Sequence, residues 1–194
     1  MNYLAHTLLS FGNKEILIGN FIADHIRLPL TNQLPAEIKR GVMIHRKIDA
    51  FTESHPHFLK AKRFFTGEFE RYSGVLMDIY YDYILASNFD KFADKNLKVY
   101  TQEVYHLLDN NRTHMPDSSK RFLDYVLDND TFYEYSKIEG IEKVLTHLSY
   151  RINHGILLSK SLPMFQQNLI AIDKDFPEFM SDLSEDTKKN LLQY

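Results

Sequence analysis

The chain has no cysteine and no tryptophan, and its 194 residues include only seven glycines and six prolines. Without cysteine there can be no disulfide, no thiolate-bound zinc, no cysteine-held iron–sulfur cluster and no cysteine nucleophile. Any metal site must draw on His, Asp, Glu, Asn or backbone oxygen, a donor set that suits manganese, magnesium, iron or zinc. No apolar run approaches the length needed to span a membrane. The N-terminus lacks a basic region followed by an apolar stretch, so it does not read as a signal peptide. A soluble, cytoplasmic protein is the expectation. Several motifs are missing too: Gly19-Asn20 is not a phosphate-cradling glycine loop, and there is no Gly-x-Ser-x-Gly elbow and no His-Glu-x-x-His helix. A net charge of −3 argues against general nucleic-acid binding.

What is present is helical periodicity almost throughout. The spacing predicts helices over 3–11 and 13–26, a loop carrying Pro29 and Pro35, and a long helix from Pro35 to about Glu53 that ends at His55-Pro56. Further helices are expected over 57–65, 69–88, 97–108 and 120–127. One more runs from Asp130 to about Arg151 with a possible interruption at Gly140, and a last long helix starts at Pro163 and closes on a polar tail. Ser118 or Asp117 is expected to cap the helix that follows Pro116. With no repeat, linker or low-complexity tract, the chain reads as one compact all-α domain over residues 1–194.

Polar groups interrupt these stripes where apolar side chains are expected. Ile38, Gly41, Val42, His45, Ile48, Asp49 and Thr52 share one helical face, as do Val75, Asp78, Ile79, Asp82, Leu85 and Phe89. Asn20 and Asp24 stand beside Leu17 and Phe21 in the same way. A buried carboxylate must be paired, protonated or bound to a metal. Three helices that each turn one inward imply a shared polar centre. Residues four apart project from one face, so His45 with Asp49 can offer a nitrogen and an oxygen, Asp78 with Asp82 two oxygens, and Asn20 with Asp24 a neutral and an ionised oxygen. His6, on the short first helix, could close the site.

Each residue also has a plain structural reading. His45 could be a satisfied core histidine. Asp49 could pair with Arg46, and Asp78 and Asp82 with Arg121 or Arg151. His55 could be a turn residue before proline. His25, His57, His106, His114, His147 and His154 lack a matching carboxylate pattern and are assigned to surface or packing, and Tyr80 and Tyr81 to the core. Between Glu37 and Arg71 the basic residues Lys39, Arg40, Arg46, Lys47, Lys60, Lys62, Arg63 and Arg71 outnumber the acidic ones. That stretch is either a solvated mixed-charge surface or a docking face for an acidic partner.

The run Asn2-Tyr3-Leu4-Ala5-His6, then Gly19-Asn20-Phe21-Ile22-Ala23-Asp24, then His45 through Pro56, then Asp78-Ile79-Tyr80-Tyr81-Asp82-Tyr83-Ile84-Leu85 resembles the bacterial acyl carrier protein phosphodiesterases. Leu148 to Arg151 and Phe176 to Met180 echo that family's last helices more loosely. The resemblance implies an HD-domain-like helical bundle and a divalent-metal hydrolase, with Mn²⁺ as the metal and Mg²⁺ or Fe²⁺ as alternatives. It also implies acyl carrier protein as an acidic protein substrate, from whose serine 4′-phosphopantetheine is cut. On that reading Asp24, His45, Asp49, Asp78 and His6 are candidates to hold the metal, and Asp82, His55 and Arg46 to serve catalysis. Asn20, Arg151, Lys60 and Arg63 are candidates to meet the substrate. Two other readings stay open: a metal phosphohydrolase of a nucleotide or other small diester, and a non-catalytic helical module that binds a carrier protein.

Overall fold

The computed structural model describes residues 1–152 and 155–193, Leu28 by its backbone alone; His154 lies outside the described residues. Among these residues there is no strand. The α-helices are α1 (Tyr3–Leu8), α2 (Lys14–Ile22), α3 (Leu28–Thr31), α4 (Ala36–Ser54), α5 (Pro56–Lys62), α6 (Ser73–Ser87), α7 (Leu97–Asp109), α8 (Asp117–Asp128), α9 (Thr131–Glu134), α10 (Ile138–Ile152) and α11 (Leu162–Leu192). The all-α expectation holds. Among the described residues no helix is long and apolar enough to cross a membrane.

Local chemistry explains most of the ends. The Asn13 side chain accepts from the Ile16 N–H at 3.0 Å to start α2, and Asn96 does the same for Val99 at the start of α7. Pro56 sits in the first turn of α5, where its missing N–H costs nothing, and the His55 ring accepts from the His57 N–H. α8 differs from expectation, since it begins after Pro116 with no side-chain cap from Ser118 or Asp117.

Other boundaries differ too: α1 ends at Leu8 and α5 at Lys62, each three residues early, and α3 forms a short helix in the expected loop. α2 stops at Ile22, and a single tighter turn over Ala23–His25 follows, which carries Asp24 away from the helix axis. The helix expected from 69 begins only at Ser73, because Gly67–Tyr72 winds as a tighter helix after Gly67 at φ +62°. The break between α9 and α10 lies before Ile138, and Gly140 is inside α10. A Cβ at Gly140 would come within 2.1 Å of the Glu134 carbonyl oxygen, so the glycine permits the close turn between these helices. Finally, α11 runs unbroken through Pro177 to Leu192, and its polar tail is anchored: Arg40 donates to the Leu191 carbonyl and Lys47 to Asn190 at 2.6 Å.

The core is aromatic. Tyr80 and Tyr81 of α6 are fully buried, Tyr80 stacked between Phe65 and Phe165 and Tyr81 against Phe58, Phe176 and Phe179. These rings join α6 to α5 and α11. The other faces of α4 and α6 remain for α1, α2 and the candidate site.

Candidate functional site

The site begins with two glycines. α2 and α4 cross in direct backbone contact. A Cβ on Gly19 would lie 2.2 Å from the Ile38 carbonyl oxygen, and one on Gly41 2.4 Å from that of Ile16. Only glycine allows this approach. It brings the Asn20 carbonyl to 2.9 Å from His45 Nδ1, where a carbonyl can only accept. His45 Nδ1 therefore carries a proton, and its Nε2 is the free position.

That Nε2 lies 3.3 Å from Asp24 Oδ1 and 3.2 Å from Asp49 Oδ2. The turn after α2 supplies the first carboxylate and the next turn of α4 the second. A neutral His45 would aim a lone pair at two anions. A proton or a cation must sit between them. Burial opposes charge on His45, but the hydrogen bonds to Asp24 and Asp49 outweigh it and raise its pKa to about 9. Burial likewise opposes charge on Asp49, and the bonds from His45 and His6 drive it far below the usual carboxylate range.

α1 adds the second imidazole. Asp82 of α6 accepts from the Leu4 N–H at 2.7 Å and the Ala5 N–H at 3.3 Å, so it caps α1 from another helix. This holds His6 against His45 with ring centroids 3.8 Å apart and planes within 15°. His6 Nε2 lies 3.1 Å from Asp49 Oδ1 and 3.2 Å from the Met1 carbonyl oxygen, while its buried Nδ1 has no partner. Burial and the charged neighbouring ring lower the His6 pKa to about 4. Near neutral pH the extra proton therefore sits on His45 between the two carboxylates, while His6 is neutral and turns its Nε2–H toward Asp49 and the Met1 carbonyl. His6, His45 and Asp49 offer ligand atoms within 4.8 Å of one another, and Asp24 closes the open side with its side chain 58% exposed.

Asp24, His45 and Asp49 of this cluster line a cleft of about 510 Å³, within the range of small-molecule sites. Glu53 and Asp78 line the same cleft, and so do Phe122, Tyr125, Leu148 and Arg151 from α8 and α10.

The other sequence candidates are dispersed. Asp78 lines the cleft but pairs with the buried Met1 ammonium at 2.7 Å, not with Arg121 or Arg151. Burial disfavours charge on that ammonium, but Asp78 and Asp49 hold its pKa raised. Asp82 is 0% exposed with both oxygens engaged, so it does not reach the cleft as a base. His55 is bonded to Asp182 at 3.3 Å on the α5–α11 side and does not line the cleft, and Arg46 contacts the Met43 sulfur. Asn20 is fully buried, its amide donating to Ser10 Oγ, and it works through its carbonyl on His45. Arg151 does line the cleft. Lys60 pairs with Asp175 at 2.6 Å, whereas Arg63 is exposed.

Sequence reasoning passed over Tyr3, His25, Phe122, Tyr125, Thr131 and His147, all of which line the cleft. The Tyr3 hydroxyl lies 3.4 Å from His25 Nε2, and its ring packs 4.5 Å from that of Phe122. Only the spacing of Tyr3 and His6 on one face of α1 hinted at this.

Comparison with known proteins places the chain in a family. The sequence profile described as acyl carrier protein phosphodiesterase matches residues 1–183. The chain is 25% identical over 186 residues to the acyl carrier protein phosphodiesterase of Photorhabdus laumondii, covering 95% of this chain and 94% of the relative. It is 28% identical over 183 residues to that of Yersinia pestis, covering 92% and 93%. It is 25% identical over 196 aligned positions to that of Escherichia coli, covering 99% and 100%. No solved structure matches. The chain belongs to the acyl carrier protein phosphodiesterase family.

Proposed function

We propose that this protein is a metal-assisted hydrolase of the phosphodiester joining 4′-phosphopantetheine to a serine of acyl carrier protein. The observation that carries the reading is the surplus of acceptors at His45 Nε2, which faces two carboxylates while its other nitrogen is fixed on the Asn20 carbonyl. An all-nitrogen-and-oxygen donor set of this kind fits a divalent cation such as Mn²⁺, held by His6, Asp24, His45 and Asp49. When bound, such a cation supplies Lewis-acid stabilisation of phosphoryl charge and lowers the pKa of water.

The chain's own residues do the rest. The Asn20 carbonyl keeps His45 in the tautomer whose Nε2 is free. Asp82 fixes α1 and so the angle of His6. Arg151, which lines the same cleft, offers a guanidinium to the phosphate. The products are the carrier's free serine hydroxyl and 4′-phosphopantetheine. Water supplies the new phosphate oxygen, and the serine Oγ receives a proton.

A cleft of about 510 Å³ admits an extended arm but not a folded carrier domain, so the carrier must dock at its rim. At the end of α5 the exposed Arg63 and the half-buried Lys62 offer a basic edge to such a partner. An acidic carrier is steered to such an edge, and salt weakens the attraction.

The test is mass measurement of holo carrier protein incubated with this protein and Mn²⁺. Loss of the phosphopantetheine mass is expected, and chelation or Asp24→Ala abolishes it. Absence of stoichiometric metal, with no stabilisation by Mn²⁺ and no change in carrier mass, overturns the reading.

A further inference from the structure

The part of the cleft lining that comes from α8 and α10 has a chemistry of its own. Phe122 and Tyr125 lie one turn apart on α8, and Val144, Leu148 and Arg151 follow one face of α10. The four apolar side chains are only half-buried, although they pack against the core on their inner side. Thr131, at the start of α9, lines the same cleft. Its residue is 4% exposed, yet its hydroxyl has no hydrogen-bond partner. A buried hydroxyl without a partner is costly, so this group is poised to take up a hydrogen bond. The hydroxyl is shielded as the wall stands, and a turn about χ1 exchanges it with the methyl group.

We infer that this wall is the subsite for the pantetheine arm, with Thr131 as its polar anchor. The inference rests on the function proposed above and adds where the substrate's non-reacting part lies. Beyond the phosphate, the arm carries a gem-dimethyl carbon and then two amides. The dimethyl carbon matches the apolar surface of Phe122, Val144 and Leu148. An amide matches a hydroxyl that can both donate and accept. The direction follows from the proposed cation site: the phosphate lies at Asp24, His45 and Asp49, and the arm leads from it along the α8 and α10 residues that line the same cleft. The arm then ends at Tyr125 and His147, whose stacked rings, 5.0 Å apart, also line a neighbouring surface groove.

Direct titration of the Mn²⁺-loaded protein with free 4′-phosphopantetheine, and separately with inorganic phosphate, tests the assignment without depending on turnover. Leu148→Ala weakens 4′-phosphopantetheine about tenfold, the usual scale for losing apolar contact in a pocket. Thr131→Val, which keeps the side chain's shape, weakens it about fivefold while the unliganded protein melts no lower than wild type. Phosphate affinity stays at the wild-type value in both. Unchanged 4′-phosphopantetheine affinity in both variants overturns the subsite, as does a parallel loss of phosphate affinity, which would place the damage in the cleft as a whole. If wild type binds 4′-phosphopantetheine as described but leaves holo carrier intact, the subsite stands and the hydrolase reading falls.

Discussion

Replacing Asp82 by Asn separates two accounts of the most deeply buried carboxylate. As a cap, Asp82 accepts from the Leu4 and Ala5 N–H groups and acts on stability. As a general base, it would act on kcat. Burial pushes its pKa up to about 7 from 3.8, partly offset by those two hydrogen bonds and by the Met1 ammonium. A carboxyl that stays protonated to higher pH when folded binds more protons in the native state than in the unfolded chain. The fold therefore loses stability as pH rises from about 4 to about 7, and nothing more above that. A gap of that size between the folded and unfolded chain corresponds to about 4 kcal/mol across this window. Asn carries no charge, so this slope disappears. Its Oδ1 can still accept from Leu4, but its NH2 then faces the Ala5 N–H, an unsatisfied contact worth about 1–3 kcal/mol. The variant is thus less stable than wild type by that amount at pH 4, and more stable by a similar amount at pH 8. Urea unfolding at both pH values reads the crossing directly. A variant destabilised equally at both would refute the argument. A variant that folds as well as wild type but loses 100-fold or more in kcat would restore Asp82 to catalysis.

Gly41→Ala places a methyl 2.4 Å from the Ile16 carbonyl oxygen, where backbone must move. We expect a loss of about 3 kcal/mol, at the upper end for overpacking, and Mn²⁺ affinity should fall because Asn20 no longer holds His45. Denaturation together with metal titration checks both, and an unchanged metal affinity would show that the glycine contact does not orient His45. Arg63→Glu raises KM for carrier protein severalfold with kcat unchanged, and the gap closes as salt rises. Lys60→Glu is a poorer probe, since Lys60 is already paired with Asp175 and its reversal also loosens α11 from α5. Equal KM values at low salt for wild type and Arg63→Glu would remove the docking edge.

The helices were legible because period and punctuation agree. The stripes of α4 and α6 and the stop at His55-Pro56 follow from apolar spacing and proline geometry alone. The boundaries that moved depend on what sequence spacing does not encode. α2 ends early because the next turn swings Asp24 to the cleft, and Gly140 sits inside a helix because it meets the Glu134 carbonyl in space. The α8 and α10 part of the cleft lining gave no signal either. Phe122, Tyr125, Val144 and Leu148 are spaced as any amphipathic helix spaces its core face, and only the fold shows that α8 and α10 leave that face half open.

Three inward carboxylates of similar appearance meet three different positive groups. Asp82 takes the N–H groups of α1, seventy-eight residues away in sequence. Asp78 takes the Met1 ammonium, a charge that no side chain announces. Asp49 takes two imidazoles. The rule that a buried carboxylate needs a partner holds in every case and cannot choose among them. What distinguishes Asp49 is the state of the partner. Backbone N–H groups and an ammonium arrive with their protons, so Asp82 and Asp78 are satisfied as they stand. The Nδ1–H of His45 is already engaged in a hydrogen bond to the Asn20 carbonyl, so between Nε2, Asp24 and Asp49 the acceptors outnumber the protons unless one is taken up from solution. A cation removes the same deficit without that proton. The property that marks the centre is an excess of lone pairs converging on one point, and it is set by a carbonyl that two glycines allow into place.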